Sequence, residues 1–222
     1  MIITIDGPSG SGKSTMAKKL AEDIGFLFFD TGAMYRSVCW YIMEKGISLE
    51  DQPAIRDELE QFYFEFKREE GESKFFVNGQ DVSKEIRDNE VNKLVSIISA
   101  YSFVREKLVE LQKEFAKNRD VVFEGRDMGT VVFPNADYKF FLIAKPKIRA
   151  ERRYAQLSNL YPNKYFDLHE IERELIKRDE YDSTRECSPL KQADDAVLLD
   201  TSNYSIEGVL KEMKKQIKDL KI

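Results

Sequence analysis

Histidine occurs once in this chain, at position 169, and cysteine twice, at 39 and 187. His169 opens a helix-like stretch with no second histidine and no triad partner near it, which excludes His-based nucleophilic catalysis and marks it as a surface residue. Cys39 and Cys187 have neither disulfide-framework nor metal-ligand spacing, so reduced thiols and a cytoplasmic location are expected. No run of about 18 apolar residues is present, and no membrane span is expected. The first residues enter a strand directly, so no signal peptide is expected either. An excess of basic charge is also lacking. The net charge is −5, which argues against a protein that coats nucleic acid. What remains, 42% hydrophobic and 34% charged over 222 residues, suits one α/β domain with room for a small insertion.

The opening of the chain is its most informative stretch. Residues 1–5 form an apolar, mostly β-branched run, readable as a strand buried on both faces. Gly7, Pro8, Ser9, Gly10, Ser11, Gly12, Lys13, Ser14 and Thr15 follow, and then Met16, Leu20 and Ile24 mark one face of a helix. This is G-x-x-x-x-G-K-S between a strand and a helix, the setting in which the motif cradles phosphates. Its glycines let backbone N–H groups converge on phosphate oxygens, and the helix N-terminus adds partial positive charge. Lys13 is placed to reach the β/γ-phosphates and the Ser14 hydroxyl to ligate Mg²⁺. A nucleoside triphosphate site follows.

Further absences narrow the class. There is no Asn-Lys-x-Asp for guanine, no Asp-x-x-Gly after a second strand, and no strand ending in an acidic pair. A GTPase or an ATP-driven motor is therefore disfavoured, and a kinase with a small acceptor fits better.

Along the chain, residues 26–29, 121–125, 139–143 and 197–200 read as four more short buried strands. The fold class expected is α/β, a P-loop NTPase fold whose five-stranded parallel sheet carries helices on both faces. Asp30-Thr31 hands the second strand over to a helix that Thr31 can cap, with Arg36 one turn further on. Asp51-Gln52-Pro53 reads as a helix start. Residues 62–67 and 74–77 are aromatic-rich strands around a charged turn at 68–73, and Asn78-Gly79 is a hairpin signal. The chain is thus expected to be one domain, 1–222, with a small antiparallel β insertion at 62–90. The aromatics there read as the insertion's own core rather than a base-stacking surface.

Residues 90–118 are helical, and the apolar stripe shifts near 100–103. Two abutting helices or one kinked helix would account for the shift, with Ser96 and Arg105 flanking the joint. Arg126-Asp127 closes the strand at 121–125, either as a structural ion pair or as a ligand contact. A helix at 148–157 carries Arg149, Arg152 and Arg153. The loop 158–167 follows, and the region at about 149–167 is expected to form a short lid without the cysteines a zinc-bearing lid needs. Arg178, Asp182 and Arg185 fall at i, i+4 and i+7 on the next helix. Ser205 can cap a last amphipathic helix.

Phosphoryl transfer to a second phosphate gathers about six negative charges, which one lysine and one metal ion cannot balance. Arginine suits that task through its permanent charge and planar fork. The segments Asp30–Arg36, Glu124–Pro134 and Arg178–Arg185, taken with the phosphate loop, resemble the cytidylate kinases of the nucleoside monophosphate kinase family. The resemblance runs in order from residue 3 to 185. It implies ATP-dependent phosphotransfer to CMP and dCMP with Mg²⁺, by a monomer with no nucleic acid or membrane partner. It implies that Arg36, Arg126 and Arg185 hold the acceptor phosphate, with Thr31 beside them. It further implies that Asp127, Ser96 and Arg105 contact the base, that Arg178 and Asp182 lie near the acceptor ribose, and that Arg149 and Arg153 serve as lid arginines on ATP. Arg152 is open as a substitute for either. Lys13, Arg126, Arg153, Arg178 and Arg185 make up the catalytic set. A carboxylate at 127 can accept from cytosine N4 and would repel uracil O4. No catalytic base is needed, because the acceptor is already an oxyanion. Kinases acting on UMP, AMP or shikimate, and a nucleotide sensor without turnover, are the competing expectations.

Overall fold

The computed structural model describes residues 1–69 and 72–217. The chain divides into two compact units, residues 1–30 with 115–222, and residues 31–114.

The first unit is built on β1 (Ile2–Asp6), β2 (Leu27–Asp30), β6 (Val121–Gly125), β7 (Tyr138–Ile143) and β8 (Val197–Asp200). All pair in parallel, in the order β2-β6-β1-β7-β8. β1 is central because its run is apolar on both faces: Ile3 and Ile5 are fully buried on one side and Thr4 on the other. α1 (Lys13–Ile24) and α8 (Ile206–Gln216) cover the same face. There Met16, Leu20, Val209 and Met213 pack on Ile3, Ile5, Val122, Phe140 and Leu142. The opposite face carries a ring cluster of Phe29, Phe123 and Phe133 with Phe115, its centroids 4.4–6.3 Å apart. Ser205 caps α8 as expected, accepting from the Gly208 amide at 3.1 Å.

α6 (Pro146–Leu160) and α7 (Leu168–Thr184) pack through Ala150, Leu157, Ile171 and Leu175. α6 runs three residues beyond the expected end at 157, so the connecting loop shortens to 161–167. Asp167 caps α7 by accepting from the His169 amide at 2.8 Å, and His169 is exposed.

The second unit holds α2 (Thr31–Glu44), α3 (Gln52–Leu59), β3 (Phe64–Glu69), β4 (Glu72–Val77), β5 (Gln80–Asp81), α4 (Asn89–Ile98) and α5 (Ser102–Ala116), whose last two residues belong to the first unit. β3, β4 and β5 form the antiparallel sheet, and Asn78 and Gly79 turn at φ 48° and 84° as the hairpin requires. Residues 70 and 71 of the expected turn at 68–73 lie outside the described residues. Phe64 and Phe66 pack tilted against the buried Phe75, and Phe62 stacks on Phe64, so these rings form the core of the sheet and its approach. Asp51 caps α3 through the Ala54 amide. The shifted stripe at 90–118 resolves into two helices, α4 and α5, parted at Ser99–Tyr101. Thr31 is the first residue of α2 itself, not a residue preceding it.

Candidate active site

The site grows from the C-terminal ends of β1 and β6, where an open parallel sheet leaves backbone groups facing a crevice. After Asp6 the chain turns at Gly7, whose φ is 145° and where a Cβ would stand 2.0 Å from the Leu142 carbonyl oxygen. Only glycine passes β7 there. The loop then wraps the start of α1, with Gly10 and Gly12 also at positive φ.

Three contacts from outside hold that loop. Arg149 on α6 donates to the Ser9 carbonyl at 3.0 Å and to the Ala144 carbonyl at 3.0 Å, and pairs with Asp179. Asp179 on α7 accepts from the Ser9 amide at 3.4 Å. Thr201, just past β8, donates to the Ser11 carbonyl at 2.9 Å, and Arg152 in turn donates to the Thr201 hydroxyl and carbonyl. Lys13 folds onto its own loop, its Nζ donating to the Pro8 carbonyl at 2.8 Å. Burial pushes its ammonium down to about 7, with Arg126 and Arg178 adding to the fall and Glu124 opposing it. A cation held that way gains strongly when phosphate arrives.

Ser14 donates to Glu124 at 2.6 Å. Burial raises the Glu124 carboxyl above its usual range, and the neighbouring Asp30 raises it further. Two buried carboxylates beside a serine hydroxyl form an oxygen-rich spot that a hard cation would relieve. Among the described residues no three His, Cys, Asp or Glu side chains group as an all-protein metal cage. The Ser14 hydroxyl and the Glu124 and Asp30 carboxylates are oxygen donors of the kind a magnesium ion takes.

Next to this lies a charge lattice. Arg126 donates from Nε to Asp182 at 3.0 Å. Arg185 reaches within 3.9 Å of Asp182 and 4.0 Å of Asp127, and donates twice to the Ser188 carbonyl. Burial works against the Asp182 charge, but Arg126, Arg178 and Arg185 outweigh it and hold the carboxyl below its usual range. Burial likewise opposes the Arg126 charge, and Asp182 and Glu124 outweigh it.

The structure thus brings together, within one unit, the phosphate loop, Arg126, Asp127, Arg178, Asp182 and Arg185. Arg149 is present too, but buried against the loop's backbone. Arg153 bonds Gln156 on its own helix at 2.9 Å. In the second unit Ser99 links two expected residues, donating to the Ser96 carbonyl at 3.1 Å and accepting from Arg105 at 3.0 Å. Arg105 also lies over the Tyr35 ring, 5.1 Å from its centroid, and Tyr35 precedes Arg36 on α2, which begins at Thr31. Sequence reasoning missed Asp6, Asp179 and Thr201 and the part Glu124 plays at Ser14. Glu124 had a signal, since an acid ending a strand parallel to β1 is well placed for a nucleotide's metal. The other three had none short of the tertiary fold.

A phosphate loop between a parallel strand and its helix, faced by a carboxylate on the serine and by several arginines, defines a P-loop phosphotransferase. The family model described as "Cytidylate kinase" matches residues 3–219. A curated cytidylate kinase of Protochlamydia amoebophila is 52% identical over 95% of this chain and 93% of its own. One of Fusobacterium nucleatum is 42% identical over 100% and 99%. An uncharacterized protein from Eubacterium ventriosum shares the fold at a TM-score of 0.50, with 13% identity over 99% of each chain. This chain belongs to the cytidylate kinase family.

Proposed function

We infer that the protein transfers the γ-phosphoryl group of ATP to CMP and dCMP, giving ADP with CDP or dCDP. The observation that carries the reading is family membership over residues 3–219, joined to a phosphate loop whose lysine shares its electrostatic field with Arg126 and Arg178. The loop 7–15 binds the ATP phosphates through its amides, and Lys13 exchanges the Pro8 carbonyl for phosphate oxygen. Ser14 would ligate Mg²⁺, with Glu124 orienting its hydroxyl. When bound, the metal neutralises charge on the β- and γ-phosphates.

Arg126 and Arg185 hold the acceptor phosphate, and Arg178 adds charge where the transferring group passes. Asp127 accepts from cytosine N4. Asp182 faces the acceptor ribose after ceding Arg126 to phosphate. From the second unit, Thr31, Arg36, Ser96 and Arg105 are assigned to CMP on the family resemblance. Arg153 is the arginine of α6 assigned to the donor nucleotide. Arg149 acts by holding the loop's backbone. Positioning and charge neutralisation carry the reaction, without a general base. No helix among the described residues is long and apolar enough to cross a membrane. The reading is of a cytoplasmic monomer with small-molecule partners and no nucleic acid.

The test is ADP release from ATP and Mg²⁺ with CMP, dCMP, UMP, AMP, GMP or shikimate supplied separately. Fast turnover is expected with CMP and dCMP, and little without an acceptor. Preference for another acceptor would remove the base assignment, and absence of turnover with all six would leave a nucleotide-binding protein only.

A further inference from the structure

Asp6 stands one residue before the phosphate loop, at the end of β1, and lies outside the G-x-x-x-x-G-K-S motif. Its side chain is buried, 4% exposed, and reaches the backbone at 128 and 129. In register it sits beside Gly125, the last residue of β6. Its two carboxylate oxygens are both taken: Oδ1 accepts from the Met128 amide at 3.0 Å and Oδ2 from the Gly129 amide at 2.8 Å.

Those amides open the helical turn at 128–132. The first N–H groups of a turn have no partner inside it and need a cap. Asp127 stands where a cap would, yet its side chain makes no capping bond to the turn. Asp6 supplies the cap from the neighbouring strand. The backbone of Asp127 is fixed from the other side, because its carbonyl accepts from the Val131 amide at 2.9 Å and the Val132 amide at 3.2 Å. An acidic side chain at 127 would otherwise close on its own turn, as aspartates at such positions do. With Asp6 holding both amides, the 127 carboxylate is kept off them.

Gly129 fits the same account. A Cβ there would lie 3.1 Å from Thr4 Oγ1, 3.2 Å from Lys139 Cδ and 3.4 Å from Asp6 Oδ2. The amide reaches Asp6 because nothing stands beneath it.

We infer that Asp6 is a positioning residue for acceptor-base recognition: by clamping the Met128 and Gly129 amides it fixes how Asp127 is presented, and so sets the preference for cytosine over uracil. This rests on the reading of Asp127 as the cytosine N4 acceptor. The clamp also ties the first residue before the ATP loop to the segment that reads the acceptor.

The test is Asp6→Asn in the full-length enzyme. An amide offers one acceptor oxygen and turns N–H donors toward the second backbone N–H, so at most one clamp bond survives. KM for CMP is expected to rise about tenfold with KM for ATP within about twofold, and the CMP-to-UMP ratio of kcat/KM to fall about tenfold. In an Asp127→Ala background the same change is expected to leave that ratio where Asp127→Ala alone puts it. Gly129→Ala crowds Thr4, Lys139 and Asp6 with its Cβ and so strains the clamp while keeping the carboxylate itself, and gives a second route to the same fall if Asp6→Asn does not fold. A wild-type CMP-to-UMP ratio in the folded variant, while Asp127→Ala lowers it, overturns the inference and leaves the Asp127 reading standing. A wild-type ratio in Asp127→Ala brings both down.

Discussion

Lys13 and Asp127 are both buried charged residues with different duties, and replacement should separate them. Lys13 spends its bond on the Pro8 carbonyl while burial pushes it down to about 7. A buried ammonium without a phosphate partner costs stability. Lys13→Met is therefore expected to stabilise the nucleotide-free protein by about 1 kcal/mol or more, read by thermal unfolding. The same change should lower kcat at least about a hundredfold for every acceptor. Asp127→Ala should do neither. It is expected to lower the CMP-over-UMP preference about ten- to a hundredfold and to leave ATP binding intact, measured by nucleotide titration. At this scale the motif residues were legible, because G-x-x-x-x-G-K-S and Gly125-Arg126-Asp127 are contiguous and flanked by clear strands. Asp6 was not, since its partners at 128 and 129 are brought to it only by the pairing of β1 with β6.

Among elements, the phosphate loop is shaped as much by α6 and α7 as by its own glycines. Arg149 and Asp179 grip the Ser9 carbonyl and amide from two helices. Arg149→Lys keeps the charge but loses the fork that spans Ser9, Ala144 and Asp179. KM for ATP is expected to rise about tenfold while the CMP-over-UMP ratio stays at its wild-type value, checked by varying each substrate in turn. An unchanged KM for ATP would return Arg149 to a merely structural place in α6. From sequence, Arg149 read as a lid arginine on ATP through the family resemblance alone, since its spacing from Arg153 shows a shared helix face but not what faces it. Elements with local signals were legible throughout: the Asn78-Gly79 turn, the caps at Asp51 and Ser205, and the strand at 197–200. The joint between α4 and α5 stayed ambiguous, since a shift in an apolar stripe marks a break without giving its geometry.

For the molecule as a whole, two buried groups tilt stability with pH in opposite senses. Burial raises the Asp6 carboxyl to about 7 against an ordinary 3.8, although its two amide bonds pull it back. Between those values the folded state holds a proton that the unfolded state has lost, so the contribution is full below about 4 and is lost as pH rises to about 7. Lys13, lowered from 10.5 to about 7, does the reverse over its own window, and stability grows as pH rises from about 7 toward 10.5. Asp6→Asn is expected to flatten the lower limb and Lys13→Met the upper, followed by denaturant unfolding of the nucleotide-free protein at a series of pH values. A lower limb unchanged by Asp6→Asn would show that Asp6 titrates alike in both states. The ion pairs of the charge lattice have a different consequence, for the end of the cycle. Arginines with no alternative partner would grip two diphosphate products as firmly as they gripped the substrates. Asp182 offers Arg126 somewhere to return, so the departing nucleotides leave behind a site that closes on its own counter-ion, and letting go becomes as much a designed step as taking hold.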